Sequence, residues 1–171
     1  MKLETRSGRP GRPIRVLFVC LGNICRSPLA EGVFAHQIRE AGLQAKFEID
    51  SAGTANYHVG DPPDRRTCAV ASARGIELTS RGRQIKRTDL QDFDYIIAMD
   101  SDNLADIKRL ASKEQPRAEL HLLREFDPLA NGDLDVPDPY YGGKQGFEHV
   151  HDIVERSCAS LIEHISEKHN L

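Results

Sequence analysis

Residues Val16 to Cys20 form an unbroken apolar run inside Ile14-Arg15-Val16-Leu17-Phe18-Val19-Cys20. A short run this rich in β-branched residues predicts a strand buried on both faces. Leu21-Gly22-Asn23 interrupts it. Ser27-Pro28 then reads as an N-cap with proline at the first helical position, and Glu31 falls in the first turn. Leu29, Val33, Phe34 and Ile38 share one face of a helix that runs to Ala41 and stops at Gly42. A second strand is expected from Phe47 to Ser51, a Gly- and Pro-rich loop over 52–63, and a helix from about Asp64 to Arg74 that ends at Gly75.

Tyr95 to Met99 is another buried apolar strand, followed by Asp100-Ser101 and a helix from about Asn103 to Ala111. Leu120 to Leu123 is a weaker strand. The stretch 124–146 holds three Pro and four Gly, a long loop of the kind that carries function. The last helix shows the clearest period, with Phe147, Val150, Ile153, Val154, Cys158, Leu161, Ile162 and Ile165 at spacings of three and four. This alternation predicts an α/β fold, a four-stranded parallel sheet with helices on both faces. Ligands of such sheets bind beyond the carboxyl ends of the strands, where Cys20 stands.

Composition narrows the class. With 171 residues, 39% of them hydrophobic, the chain can bury one core without staples. Residues 1–13 are polar and carry Arg6, Arg9 and Arg12; they read as a flexible extension, leaving a single domain over 14–171. That extension lacks the apolar middle of a secretion signal, and no apolar run approaches a membrane span. The four cysteines lack paired spacing, so thiols in a reducing cytoplasm are expected. A net charge of −3 gives no reason to expect nucleic acid.

The candidate chemistry lies in Cys20-Leu21-Gly22-Asn23-Ile24-Cys25-Arg26-Ser27, a C-x5-R-S between strand 1 and helix 1. A loop curling into a helix N-terminus gathers backbone N–H groups and dipole potential at one point, which suits a phosphate-binding loop. Gly22 allows close backbone approach, and Asn23 tolerates the left-handed conformation. Arg26 offers a planar fork to two phosphate oxygens. A cysteine in this field is favoured as a thiolate nucleophile, and the Ser27 hydroxyl can donate to its sulfur. No Walker or dinucleotide glycine pattern is present, and Cys20 and Cys25 lack the partners of a zinc site, so neither cofactor nor metal is expected.

From Val19 to Glu31 the segment resembles the signature of the low-molecular-weight protein tyrosine phosphatases, in a bacterial-type member. The likeness continues at Asp50-Ser51-Ala52-Gly53-Thr54, Gly60-Asp61-Pro62-Pro63-Asp64, Ala98-Met99-Asp100 and Asp138-Pro139-Tyr140-Tyr141, and covers about Ile14 to His164. The resemblance implies Cys20, Arg26 and Asp138 as catalytic residues, Asp138 being the general acid and then base of a phosphocysteine mechanism. Asp135 is a rival by proximity. Tyr140 and Tyr141 would wall the cleft on one side and Tyr57 on the other, and Ser51 would brace Asn23. Cys25 would be a redox partner of Cys20, or else a small buried hydrophobe.

Ile24 favours phosphotyrosine over the related arginine phosphatases, which tend to carry Thr there. Arg74 stands where animal members have His, which puts the bracing network in doubt. An arsenate reductase on the same fold and a non-catalytic phosphotyrosine-binding module are the other readings. The first lacks a resolving cysteine pair, and the second has no use for a nucleophile. The implied partner is a tyrosine-phosphorylated protein, such as a bacterial tyrosine kinase or a polysaccharide-export protein.

Overall fold

A computed structural model describes residues 11–140 and 142–171. The expectations for residues 1–10 and for Tyr141 lie outside the described residues. Strands β1 (Ile14–Cys20), β2 (Phe47–Gly53), β3 (Tyr95–Ala98) and β4 (Glu119–Leu122) alternate with helices α1 (Arg26–Glu40), α2 (Arg65–Ala73), the short α3 (Asp89–Asp92), α4 (Ser101–Ala111) and α5 (Lys144–His169). The four strands form one parallel sheet in the order β2-β1-β3-β4. The central strand β1 is thus hydrogen-bonded on both edges, and it delivers Cys20 at its carboxyl end.

Alternation along β1 divides the core. Val16, Phe18 and Cys20 pack on the face covered by α1 and α5, where Phe34 of α1 meets Phe18 and Phe47 at ring-centroid distances of 5.5 and 5.4 Å. Leu17 and Val19 point to the opposite face, against Leu90 of α3 and Ile107 and Ala111 of α4. A strand buried on both sides has no polar position to spare, which is why its sequence reads as a continuous apolar run.

The start of α1 differs from its expected form. Cys25, not Ser27, occupies the N-cap position, no side chain caps the helix, and Glu31 lies beyond the first turn. Pro28 is therefore the third helical residue, still among the positions whose N–H has no partner within the helix. The Ser27 hydroxyl is drawn elsewhere, as the site shows. Gly42 (φ 72°) and Gly75 (φ 78°) end α1 and α2 in the left-handed region, as expected.

Candidate active site

The loop from Leu21 to Cys25 curls over the carboxyl end of β1. Its backbone is propped from β2, since Thr54 N–H donates to Cys20 O (2.9 Å) and Ala55 N–H to Leu21 O (3.0 Å). Gly53 makes that approach possible. A Cβ there would lie 2.7 Å from Leu21 O and 3.2 Å from Asn23 N, both backbone atoms that cannot swing aside. Above Gly22 sits the His58 ring, whose Cδ2 would be 3.1 Å from an added Cβ. Asn23 occupies the left-handed region at φ 57°.

Cys20 Sγ is buried and held from two sides. Ser27 Oγ lies 3.0 Å from the sulfur, and Asn23 N–H donates to it at 3.3 Å. Behind them runs a continuous chain of hydrogen bonds. Asn23 Nδ2 donates to Ser27 Oγ (2.8 Å) and to Ser51 Oγ (3.0 Å), and Ser51 Oγ donates to Glu31 Oε2 (2.9 Å). Arg83 N–H closes the far side by donating to Asn23 Oδ1 at 3.0 Å. Burial pushes the Glu31 carboxyl up, and nearby Asp50 adds to this, against the hydroxyls of Ser51 and Ser80 and the charge of Arg83.

Ser51 thus contacts Asn23 as expected, and Arg74 takes no part in this chain of hydrogen bonds. Arg74 turns away to Asp152 and Glu155 of α5, both at 2.8 Å.

Arg26, 3% exposed, projects from the first turn of α1 toward the loop that precedes α5. Its Nη1 donates to Asp100 Oδ2 (2.6 Å) and to Val136 O (3.0 Å), and its Nη2 lies 3.6 Å from Asp138 Oδ2. Burial opposes its charge, but negative charge at Cys20, Asp100 and Asp138 outweighs this and raises its pKa. One carboxylate serves two ends here: Asp100 Oδ1 accepts from Asn103 N–H (2.8 Å) to cap α4, while Oδ2 orients Arg26. Asp138 is 39% exposed and open to an incoming molecule. The rival, Asp135, is committed elsewhere, accepting from Ser101 N–H (2.8 Å) and Ser101 Oγ (3.3 Å) at the start of α4.

Tyr140 follows Asp138 closely, and its N–H donates to Asp138 Oδ1 at 3.1 Å. Arg66 fixes it from below, donating to Tyr140 O at 3.1 Å with the guanidinium 5.5 Å from the ring centroid. Tyr57, 73% exposed, stands next to His58, the residue that overlies Gly22. Cys25 is buried against Val70 and Phe147, with Ile24 packed on the same cluster. Burial, aided by Asp64, Cys20 and Asp138 against a hydrogen bond with Thr67, pushes the Cys25 thiol up to about 12. All four cysteines are free thiols.

Among the described residues, no group of three or more His, Cys, Asp or Glu side chains is arranged to hold a metal ion, and no helix is long and apolar enough to cross a membrane. Sequence reasoning quoted Asp100 only as part of a motif, and it missed Arg83, His58 and the role of Glu31. Each acts through a contact between distant segments that no local pattern encodes.

The model of the family described as low molecular weight phosphotyrosine protein phosphatase matches residues 15–171. A low molecular weight protein-tyrosine-phosphatase of Streptomyces coelicolor is 45% identical over 90% of this chain and 94% of its own. The crystal structure of a protein tyrosine phosphatase from Entamoeba histolytica superposes with a TM-score of 0.85 at 42% identity, covering 90% of this chain and 97% of that one. A Drosophila arginine phosphatase superposes at 0.84 with 34% identity, covering 89% and 98%. With its phosphate-type loop at the end of β1 and this likeness along nearly its whole length, the chain belongs to the low molecular weight phosphotyrosine protein phosphatase family.

Proposed function

We propose that this hydrolase removes phosphate from tyrosine-phosphorylated proteins through a phosphocysteine intermediate on Cys20. The observation that carries the reading is the meeting of Cys20 Sγ, Ser27 Oγ, Arg26 and Asp138 at one sheet end, with Arg26 reaching the Asp138 carboxylate at 3.6 Å. In the first step the Cys20 thiolate attacks phosphorus in line as the bond to the tyrosine oxygen breaks. Arg26 and the N–H groups of Leu21, Gly22, Asn23, Ile24 and Cys25 stabilise the charge on the equatorial oxygens, and Asp138 gives its proton to the departing phenolate. In the second step Asp138, now a carboxylate, takes a proton from water as the water attacks phosphocysteine. Phosphate leaves, and the Cys20 sulfur departs as a thiolate that receives the Ser27 hydroxyl hydrogen bond.

Tyr140 and Tyr57 are assigned to the walls around the flat phenyl ring, a use suited to rigid aromatic faces. Residues 14–171 are taken as a single catalytic domain acting in the cytoplasm, with a tyrosine-phosphorylated protein such as a bacterial tyrosine kinase as its partner. Cys25 is assigned a redox role, closing a reversible disulfide on oxidised Cys20.

The likeness to the Drosophila arginine phosphatase supports a second reading, removal of phosphate from arginine. Against it stands the apolar Ile24 in the loop, packed on Val70 and Phe147. Turnover of an aryl phosphate by wild type, Cys20→Ser and Asp138→Ala tests the proposal. Loss of activity in Cys20→Ser is expected, and full activity in that variant would overturn it. Higher kcat/KM on phosphoarginine than on phosphotyrosine would move the chain to the second reading.

A further inference from the structure

Arg124 carries a guanidinium that is only 8% exposed, yet it lies in the 3-10 turn Leu123–Phe126 after β4, far along the chain from the Cys20 loop. It serves no part of the chemistry described above. Its contacts all lead one way. Nε donates to Asp127 Oδ2 (3.0 Å), and Nη1 meets Asp133 Oδ2 (3.3 Å) and the carbonyl of Asp135 (3.2 Å). Asp127 is itself fully buried and is gripped a second time by Arg156 of α5, at 2.7 and 3.2 Å, and by Leu129 N–H.

Burial works to raise the Asp127 pKa, but Arg156, the Leu129 amide and Arg124 together hold it below the usual carboxylate value. Arg156 is partly exposed, but the Asp127 carboxylate and the Arg124 guanidinium are buried, and a buried ion pair is costly to leave half-paired, so its geometry is stiff.

The segment that this cluster grips leads directly to Asp138. Asp133 is held by its side chain. Asp135 is held by its carbonyl on Arg124 and by its carboxylate on Ser101. Val136 is held by its N–H on Met99 O (2.8 Å) and by its carbonyl on Arg26. Two stiff prolines, Pro137 and Pro139, flank the acid itself.

From these contacts we infer that Arg124 is a positioning residue for the general acid. It anchors the loop at Asp133 and Asp135 so that the Asp138 carboxyl stands at leaving-group distance from the phosphate held by Arg26. The inference rests on the assignment of Asp138 as that acid.

The test is a comparison of kcat/KM on p-nitrophenyl phosphate, whose phenolate leaves without help, and phenyl phosphate, whose phenolate needs a proton. Displacing an acid by about an ångström costs on the order of ten- to a hundred-fold where proton donation matters. Arg124→Gln is expected to lose that factor on phenyl phosphate and far less on p-nitrophenyl phosphate. Its Cys20 is expected to be alkylated by iodoacetate at the wild-type rate. Arg124→Lys keeps the buried charge opposite Asp127 but not the three-way fork, and is expected to show the same split in a protein that folds. The exposed Asp133→Ala is expected to show a smaller one.

Equal losses on both substrates, or slowed alkylation, would make Arg124 a structural residue only and overturn the inference. Asp138→Ala, measured alongside, separates the two assignments. A steep split there with none in the Arg124 variants overturns the anchor alone, whereas no split in Asp138→Ala overturns the acid itself and the anchor with it.

Discussion

Replacing Ser27 with Ala removes one fully buried hydroxyl from between Cys20 and its support. The direction of its hydrogen follows from the partners. Asn23 Nδ2 donates to Ser27 Oγ at 2.8 Å, so the hydroxyl hydrogen is left for the sulfur at 3.0 Å or Ala52 O at 3.3 Å. A Cys20 thiolate has no hydrogen to give, so in the reactive state the 3.0 Å contact is donated by the Ser27 hydroxyl. A hydrogen bond to an ionised partner contributes about 1.5–3 kcal/mol, and about 1.4 kcal/mol is a factor of ten in rate. The sulfur gains negative charge as phosphocysteine is hydrolysed and loses it as the thiolate attacks. The deficit of roughly ten- to a hundred-and-fifty-fold therefore falls on hydrolysis.

In rapid mixing with p-nitrophenyl phosphate, Ser27→Ala is expected to release a burst of p-nitrophenol stoichiometric with enzyme, followed by slow turnover. An unchanged kcat, or a uniform slowing with no burst, would refute this account of the hydroxyl.

Further expectations concern the loop, the core and the redox state. Gly53→Ala puts a methyl group against Leu21 O and Asn23 N, so inhibition by inorganic phosphate should weaken and kcat/KM should fall by on the order of a hundred-fold. Phe34→Ala empties the space between Phe18 and Phe47 and should cost about 3–5 kcal/mol in urea unfolding. Peroxide inactivation of wild type should be reversed by dithiothreitol, whereas Cys25→Ser should oxidise onward and stay inactive.

Burial lowers the pKa of His151 on α5, and Arg74 adds to this against Glu155 and Asp152. The folded value thus lies below the ordinary 6.5, so the stability it contributes is full above 6.5 and is lost as pH falls toward the folded value. The urea midpoint of wild type should drop below pH 6.5 more steeply than that of His151→Gln.

Elements with a strong period or an unbroken apolar run were legible in the sequence. Strand β1 takes in the whole Ile14–Cys20 stretch and ends where its apolar run does, and α5 follows the spacing of Phe147, Val150 and Ile153, because burial on a sheet or a core stripe imposes that spacing directly. The start of α1 was not legible in the same way. Ser27-Pro28 has the local chemistry of a cap, but the Ser27 hydroxyl is engaged instead by the Cys20 sulfur, Asn23 and Ala52 O. Asp138 could be singled out only through resemblance, since an Asp between prolines is ordinary turn chemistry. What brings the loop to Arg26 is the Val136 carbonyl, 110 positions further along the chain. Asp100 and Arg83 escaped for the same reason, because charged side chains that pair across the fold leave no periodic mark; Arg124 escaped because its partners Asp127, Asp133 and Asp135 lie in irregular turns that have no period.

The central claim is that phosphate passes through Cys20. Acid quenching of the enzyme during turnover of an aryl phosphate, followed by peptide mapping, tests it most directly. The account predicts a phosphoryl group on the peptide that holds Cys20, more abundant in Ser27→Ala and absent in Cys20→Ser. A phosphoryl group on any other residue, or steady turnover by Cys20→Ser with no phosphoenzyme, would contradict it.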